Sequence, residues 1–323
     1  MHNKRFFSML VLIIMSFIVL IGCSQQEETD ASTGKVKIGI MLSDVGLGDQ
    51  SFSDLAFNGL MQARDELDIV FDYREIETTE TYEQGLRELV AQDNDLIIGL
   101  GYMVQEDLEI VAQEYPDQQF ILIDSVSELE NVTSVTFKVD QASYLAGIVS
   151  AHTTTTDHIG FIGGEDVPLI QNFYNGFEAG AKSVNPDIEI DKAYAGTYGD
   201  DKLGASLAKE MIDQDADILF AAAGFTGVGV LKEAQDQNIY AVGVDTDQFF
   251  HAEGAVITSV MKNIDRAIYQ LAENLVNGET IEQGTLEFGL GNEGVGLAPL
   301  RIADFPENIK AEIESATEEL AQQ

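Results

Sequence analysis

The sequence predicts an α/β protein of two units, each a mostly parallel sheet flanked by helices. Three observations carry the prediction. From Lys35 onward, short apolar runs alternate with amphipathic stretches of helical period, the pattern that builds parallel sheets covered by helices. The alternation restarts near His158, which requires a second unit of the same kind. The chain has 323 residues, 45% of them hydrophobic, enough to bury two cores.

At the N-terminus, residues 1–22 hold Lys4 and Arg5, an apolar stretch over 6–20 broken only by Ser8 and Ser16, and small Gly22 before Cys23, the single cysteine. A basic start, a short apolar centre and a small residue before the cut make an export signal, and the stretch is shorter than the roughly 20 residues of a spanning helix. Leu20-Ile21-Gly22-Cys23 resembles the bacterial lipobox, which implies cleavage before Cys23 and a lipid on its thiol. That lipid then ties the protein to the extracytoplasmic face of the cell membrane. An ordinary signal peptide with an incidental cysteine is the alternative. Residues 24–34 are small and polar, so 23–34 reads as a lipidated cysteine followed by a flexible tether.

Residues 36–42 read as the first strand, and 53–67 as a helix with Leu55, Gly59, Ala63 and Leu67 on one stripe. Strands follow at 69–73, 96–100, 120–123 and 132–137, with helices near 81–91, 104–114 and 140–151. The second unit has strands at 158–162, 188–194, 218–223, 240–244 and 256–259, separated by helices near 167–184, 200–213 and 227–237. A helix over 263–276, a strand near 284–288 and an amphipathic tail over 306–320 remain. The tail sets Ile309, Ile313, Ala316 and Leu320 on one face, and all three segments fit either unit.

Charge and composition then remove function classes. Acids outnumber bases 56 to 17, a formal charge of −39, and no cluster of Lys and Arg exists to displace counterions, so no nucleic-acid partner is expected. The acidity reads as a heavily solvated surface, with capture of a cation or a basic peptide the alternative. His2, His152, His158 and His251 lack the spacing of metal ligands, and no Gly-x-Ser-x-Gly elbow occurs. Glu165 and Asp166 are neighbours on one loop, whereas glycosidase carboxylates must face each other across a bond. Neither catalysis nor a cofactor or metal is expected.

In open parallel sheets ligands bind beyond the carboxyl ends of the strands. Five such exits mix glycine with an acid or an aromatic: 44–52, Gly101-Tyr102, Gly163-Gly164-Glu165-Asp166, Gly224-Phe225-Thr226-Gly227 and Asp245-Thr246-Asp247. Glycine permits close backbone approach, while rings and carboxylates offer stacking faces and hydroxyl acceptors. Neither glycine group is a phosphate loop, since no Gly-Lys-Ser/Thr accompanies it. Taken singly, the glycines also fit tight strand-to-helix turns.

Seven segments in order carry a resemblance. They are Asp44-x-Gly-x-x-Asp49-x-Ser51-Phe52, Gly160-Phe161-Ile162-Gly163-Gly164, Val167-Pro168-Leu169-Ile170, Gly224-Phe225-Thr226-Gly227-Val228-Gly229-Val230, Val242-Gly243-Val244-Asp245-Thr246-Asp247-Gln248, Thr258-Ser259-Val260-Met261-Lys262 and Gly294-Val295-Gly296-Leu297. Together, over roughly 36–300, the chain resembles the basic membrane protein family of lipoproteins, purine nucleoside receptors of ABC importers. The resemblance implies the two-lobed type I periplasmic-binding-protein fold, with crossovers near 138–142, 259–263 and 286–291. Lobe 1 is then 35–139 plus about 262–287, and lobe 2 is 140–261 plus about 288–323.

The resemblance also implies site roles. Phe52 and Phe225 match the rings that enclose the base, with Tyr102 a third candidate; Asp44 matches the acid that meets the base edge. Asp245 matches an acceptor of ribose hydroxyls, and Lys262 a lysine bonding the same sugar. Read as bare residues, Phe52 also fits a staple at a helix start, Phe225 a core ring, Asp44 and Asp245 turn residues, and Lys262 a surface ion pair. Asp49 and Asp247 fit caps or turns. Ser53 stands where many relatives carry asparagine, a departure that bears on base preference. The implied partners are a nucleoside and ABC permease subunits; the alternatives are a sensory lipoprotein of the same fold and, from another class, a surface hydrolase.

Overall fold

The computed structural model describes residues 34–323. The export signal, Cys23 and nearly all of the tether lie outside the described residues.

The alternation read from the sequence is the alternation observed. β1 (Lys37–Met41), β2 (Val70–Arg74), β3 (Leu96–Leu100), β4 (Gln119–Ile123) and β5 (Val132–Phe137) form one sheet, which β11 (Gly284–Phe288) completes in the order β11-β5-β4-β3-β1-β2, all parallel. β6 (His158–Gly163), β7 (Glu189–Tyr194), β8 (Ile218–Ala222), β9 (Tyr240–Asp245) and β10 (Val256–Lys262) form the second in the order β12-β10-β9-β8-β6-β7. β12 (Val295–Leu297), which the periodicity did not single out, pairs antiparallel with β10. Strands buried on both faces, such as β3 and β8, are continuous apolar runs because helices cover them front and back.

Among the described residues nine α-helices connect the strands, α1 (Phe52–Leu67), α2 (Ile76–Thr79), α3 (Tyr82–Val90), α4 (Gln105–Glu114), α5 (Val139–Thr153), α6 (Pro168–Val184), α7 (Asp201–Ile212), α8 (Gly224–Asp236) and α9 (Ile264–Val276), and a tenth, α10 (Glu307–Leu320), follows the last strand. The segments that fitted either unit are thereby assigned. β11 joins the first sheet, α9 packs on α1, and α10 packs on α5 with Ile313 buried. Gln141 Nε2 donates to the Leu320 carbonyl at 3.0 Å and ties the tail helix down.

Glycine lets the helices approach closely. A methyl group on Gly180 of α6 would sit 1.9 Å from the Tyr144 carbonyl oxygen of α5, and one on Gly59 of α1 would sit 2.5 Å from that of Asp265 in α9. The expected stripe of Gly59 and Ala63 is therefore a helix–helix seam. α8 begins at Gly224, three residues before the periodicity suggested, because its first turn caps a strand exit rather than a hydrophobic face.

Candidate functional site

One cleft of about 650 Å³, its open side included, lies between the carboxyl ends of the two sheets. All six residues singled out from the sequence as ligand contacts line it: Asp44, Phe52 and Tyr102 from exits of the first sheet, Phe225, Asp245 and Lys262 from the second.

The loop after β1 is wired before it reaches the site. Asp49 is 3% exposed and accepts from the backbone N–H groups of Ser51, Ser53 and Asp54 at 3.0, 2.7 and 3.2 Å, so it caps α1. Burial pushes the Asp49 carboxyl up to about 6, against those donors, which favour its charged form. Ser51 precedes the helix but makes no side-chain cap; its hydroxyl instead donates to Asp245 Oδ2 at 2.5 Å. Ser53, the departure noted in the sequence, is fully buried with its hydroxyl 2.7 Å from that of Ser43.

Asp245 closes β9 with φ +63°, and Thr246 N–H bonds back to the Val244 carbonyl at 2.7 Å, a positive-φ γ-turn. The turn aims a buried carboxylate into the cleft, and burial raises its pKa while Lys262 and Ser51 pull it down. Lys262 ends β10, is 2% exposed, and pairs with Asp124 Oδ2. Its ammonium lies 4.7 Å from the Phe52 ring centre and 5.2 Å from that of Phe137, within reach of cation–π attraction.

Asp124 was missed. It follows β4 as Asp44 follows β1, so the rule of acids at strand exits could have found it. It too has positive φ, +68°, its side chain is 2% exposed, and its Oδ1 is buried with no hydrogen-bond partner. A buried carboxylate oxygen left unbonded costs free energy that a donor from a ligand would recover.

The rings stand at the rim. Phe52 packs beside Gly101, whose φ of +97° suits glycine, and Phe225 occupies the first turn of α8. Asp44 keeps an exposed surface, yet partial enclosure of its carboxyl, with Glu165 nearby, raises its pKa. Tyr102 donates its hydroxyl to Glu165 Oε2 at 2.5 Å across the cleft. Tyr198, a second miss, follows β7 and also lines the cleft. Asp247 lies outside the lining and is a turn residue: it accepts from Phe249 N–H at 3.3 Å and holds Arg301 with two bonds of 2.8 and 2.6 Å.

Four aspartates, Asp44, Asp49, Asp124 and Asp245, therefore face a single cation, Lys262, among the lining residues. Such a wall suits a ligand rich in hydroxyl and N–H donors and disfavours an anion. Among the described residues no group of three or more His, Cys, Asp or Glu is arranged to hold a metal ion, and no helix is long and apolar enough to cross a membrane.

Comparison with known proteins adds an independent line. Residues 35–322 match the family model described as ABC transporter substrate-binding protein PnrA-like. The chain is similar to basic membrane protein A of Borreliella burgdorferi, 32% identical over 88% of this chain and 85% of that one. It is likewise similar to the ABC transporter nucleoside-binding protein BmpA of Lactococcus lactis, 30% identical over 91% of each. Among solved structures, a solute-binding protein of an ABC transporter system from Aeropyrum pernix superposes with TM-score 0.75 at 27% identity, covering 88% of this chain and 86% of that one.

Proposed function

The chain belongs to the PnrA-like family of ABC transporter substrate-binding proteins, and from that premise we propose that it is the lipid-anchored receptor of an importer, capturing a purine nucleoside in the cleft and delivering it to the permease. The observation that carries the reading is the cluster Asp124, Lys262 and Asp245. It draws acids from both sheets around one buried cation and leaves Asp124 Oδ1 without a donor. The two hydroxyls of a ribose supply donors of that kind. Phe52 and Phe225 stack on the base, Tyr102 contributes a third ring at the rim, and Asp44 accepts from the N–H groups of the base edge. Binding, not turnover, is the work of this site.

The lobes are 35–139 with about 262–287, and 140–261 with about 288–323, closing about the three crossovers. Cys23 carries the lipid, and Cys23→Ser abolishes lipid labelling and detergent partitioning. The importer role is supported by the family, and the nucleoside by the relative whose name states it.

Calorimetric titration with a nucleoside and its free base tests the site. Phe225→Ala weakens both by roughly 5- to 150-fold, the worth of one stacked base. Asp245→Ala costs more against the nucleoside than against the base, because only the sugar loses a charged acceptor. Equal losses for the two ligands would remove the ribose role, and wild-type affinity in both variants would move the site elsewhere.

A further inference from the structure

Four side-chain contacts join the two halves across the cleft: Ser51 to Asp245, Lys262 to Asp124, Tyr102 to Glu165 and, at a longer distance, Tyr102 to Tyr198. The first two belong to the cluster assigned to the sugar. The other two share Tyr102 and stand apart, and their chemistry is self-contained. Tyr102 has one hydroxyl proton, and at 2.5 Å from a carboxylate oxygen that proton goes to Glu165. Tyr102 Oη is then left to accept, and the Tyr198 hydroxyl lies 3.4 Å away as its donor. Glu165 itself is not among the residues lining the cleft, so this chain of bonds reaches the ligand's side through the two tyrosines.

The second glycine of the pair before Glu165 has its explanation here. A methyl group on Gly164 would sit 2.1 Å from Tyr198 Cε1, so the ring lies directly against the backbone that presents Glu165. Tyr198 and Glu165 thus form one rigid wall on the second sheet's side. Tyr102, carried by the exit of β3, is the only member of the trio from the first sheet's side. Burial raises the Tyr102 phenol well above its ordinary range, which keeps it a donor.

We propose that Glu165 is a positioning residue that acts on the ligand only through Tyr102, latching the closed cleft and setting how slowly a bound nucleoside leaves. The ligand part rests on the receptor reading above; the latch itself is measurable without ligand.

Two measurements decide it. Dissociation of radiolabelled guanosine, inosine or adenosine, whichever the wild type binds, is followed in Tyr102→Phe, Glu165→Ala, Glu165→Gln and the double variant Tyr102→Phe/Glu165→Ala. A hydrogen bond to a charged group predicts release faster by roughly 10- to 100-fold in either single variant. The double variant releases no faster than the singles, because one bond is lost only once, and Glu165→Gln falls between Ala and wild type. Unchanged release in Tyr102→Phe, or multiplied effects in the double variant, would overturn the latch. In the second measurement, Cys23→Ser leaves no native thiol, so spin labels at Glu106→Cys on α4 and Lys202→Cys on α7 report the opening directly. Without ligand, Tyr102→Phe shifts the distance distribution to longer values, and an unshifted distribution counts against the proposal. A wild type that binds none of the three nucleosides defeats the receptor reading while leaving the distance measurement able to judge the latch.

Discussion

At the scale of the residue, the site is built by acids held in a backbone region that side chains rarely enter. Asp124 and Asp245 both end central strands at positive φ, a conformation in which Asp is better tolerated than most residues because its short side chain bonds locally. Strain of this kind persists where surrounding structure over-determines it, here β-ladders on both sides. Asp124 also has a structural share, since it neutralises a lysine whose side chain is 3% exposed. Removing one partner of such a pair costs about 3–5 kcal/mol. Asp124→Asn is therefore expected to lower both the unfolding midpoint and nucleoside affinity. Adding Lys262→Met should restore much of the stability without restoring affinity, because the orphan charge is gone while the sugar's partners are still missing. Recovery of affinity in the double variant would show that Asp124 serves the fold alone.

At the scale of the element, two helix devices matter. Gly180 lies in the interior of α6, where Gly→Ala on an exposed helix stabilises by about 1 kcal/mol through propensity. Here the added methyl meets the Tyr144 carbonyl oxygen at 1.9 Å, so Gly180→Ala is expected to destabilise, by about 1–3 kcal/mol, in a denaturant titration. A stabilising effect would mean the α5–α6 seam yields freely. The second device is the Asp49 cap. Its folded pKa is raised from 3.8 to about 6, so the fold binds this proton more tightly than the unfolded chain does. The contribution is fully present below about 4 and is lost as pH rises through about 6. The stability of wild type relative to Asp49→Asn should thus be greater at pH 4.5 than at pH 7.5, by up to about 2 kcal/mol, whatever the constant offset between them. A difference independent of pH would assign the cap's proton elsewhere.

At the scale of the whole molecule, the cleft exists because the chain crosses between the two sheets at Phe137–Val139, Lys262–Ile264 and beyond Phe288. A ligand that touches both halves favours the joined state by its additional contacts. At a hundred times its dissociation constant, a bound nucleoside should add about 2.7 kcal/mol of stability and raise the unfolding midpoint by several degrees. The free base, which reaches fewer of the groups, should shift it less at equal concentration. The sequence by itself determined the order and kind of nearly all the elements, because strand and helix periods and the apolar runs of doubly covered strands are local properties of the chain. It also pointed to the strand exits where Asp44, Phe52, Tyr102, Phe225 and Asp245 meet, since ligand placement beyond parallel strands follows from topology, whereas Lys262 came only from the family resemblance. Three-residue β12 and four-residue α2 escaped because so short a segment holds no period to detect. Only the tertiary structure decided that β11 and α9 belong with the first sheet, that α10 docks on α5, and that Ser51 meets Asp245, Lys262 meets Asp124 and Tyr102 meets Glu165. Those partners are separated by 194, 138 and 63 positions. No local pattern encodes which distant side chain closes such a bond, because the pairing is fixed by how two sheets are brought face to face.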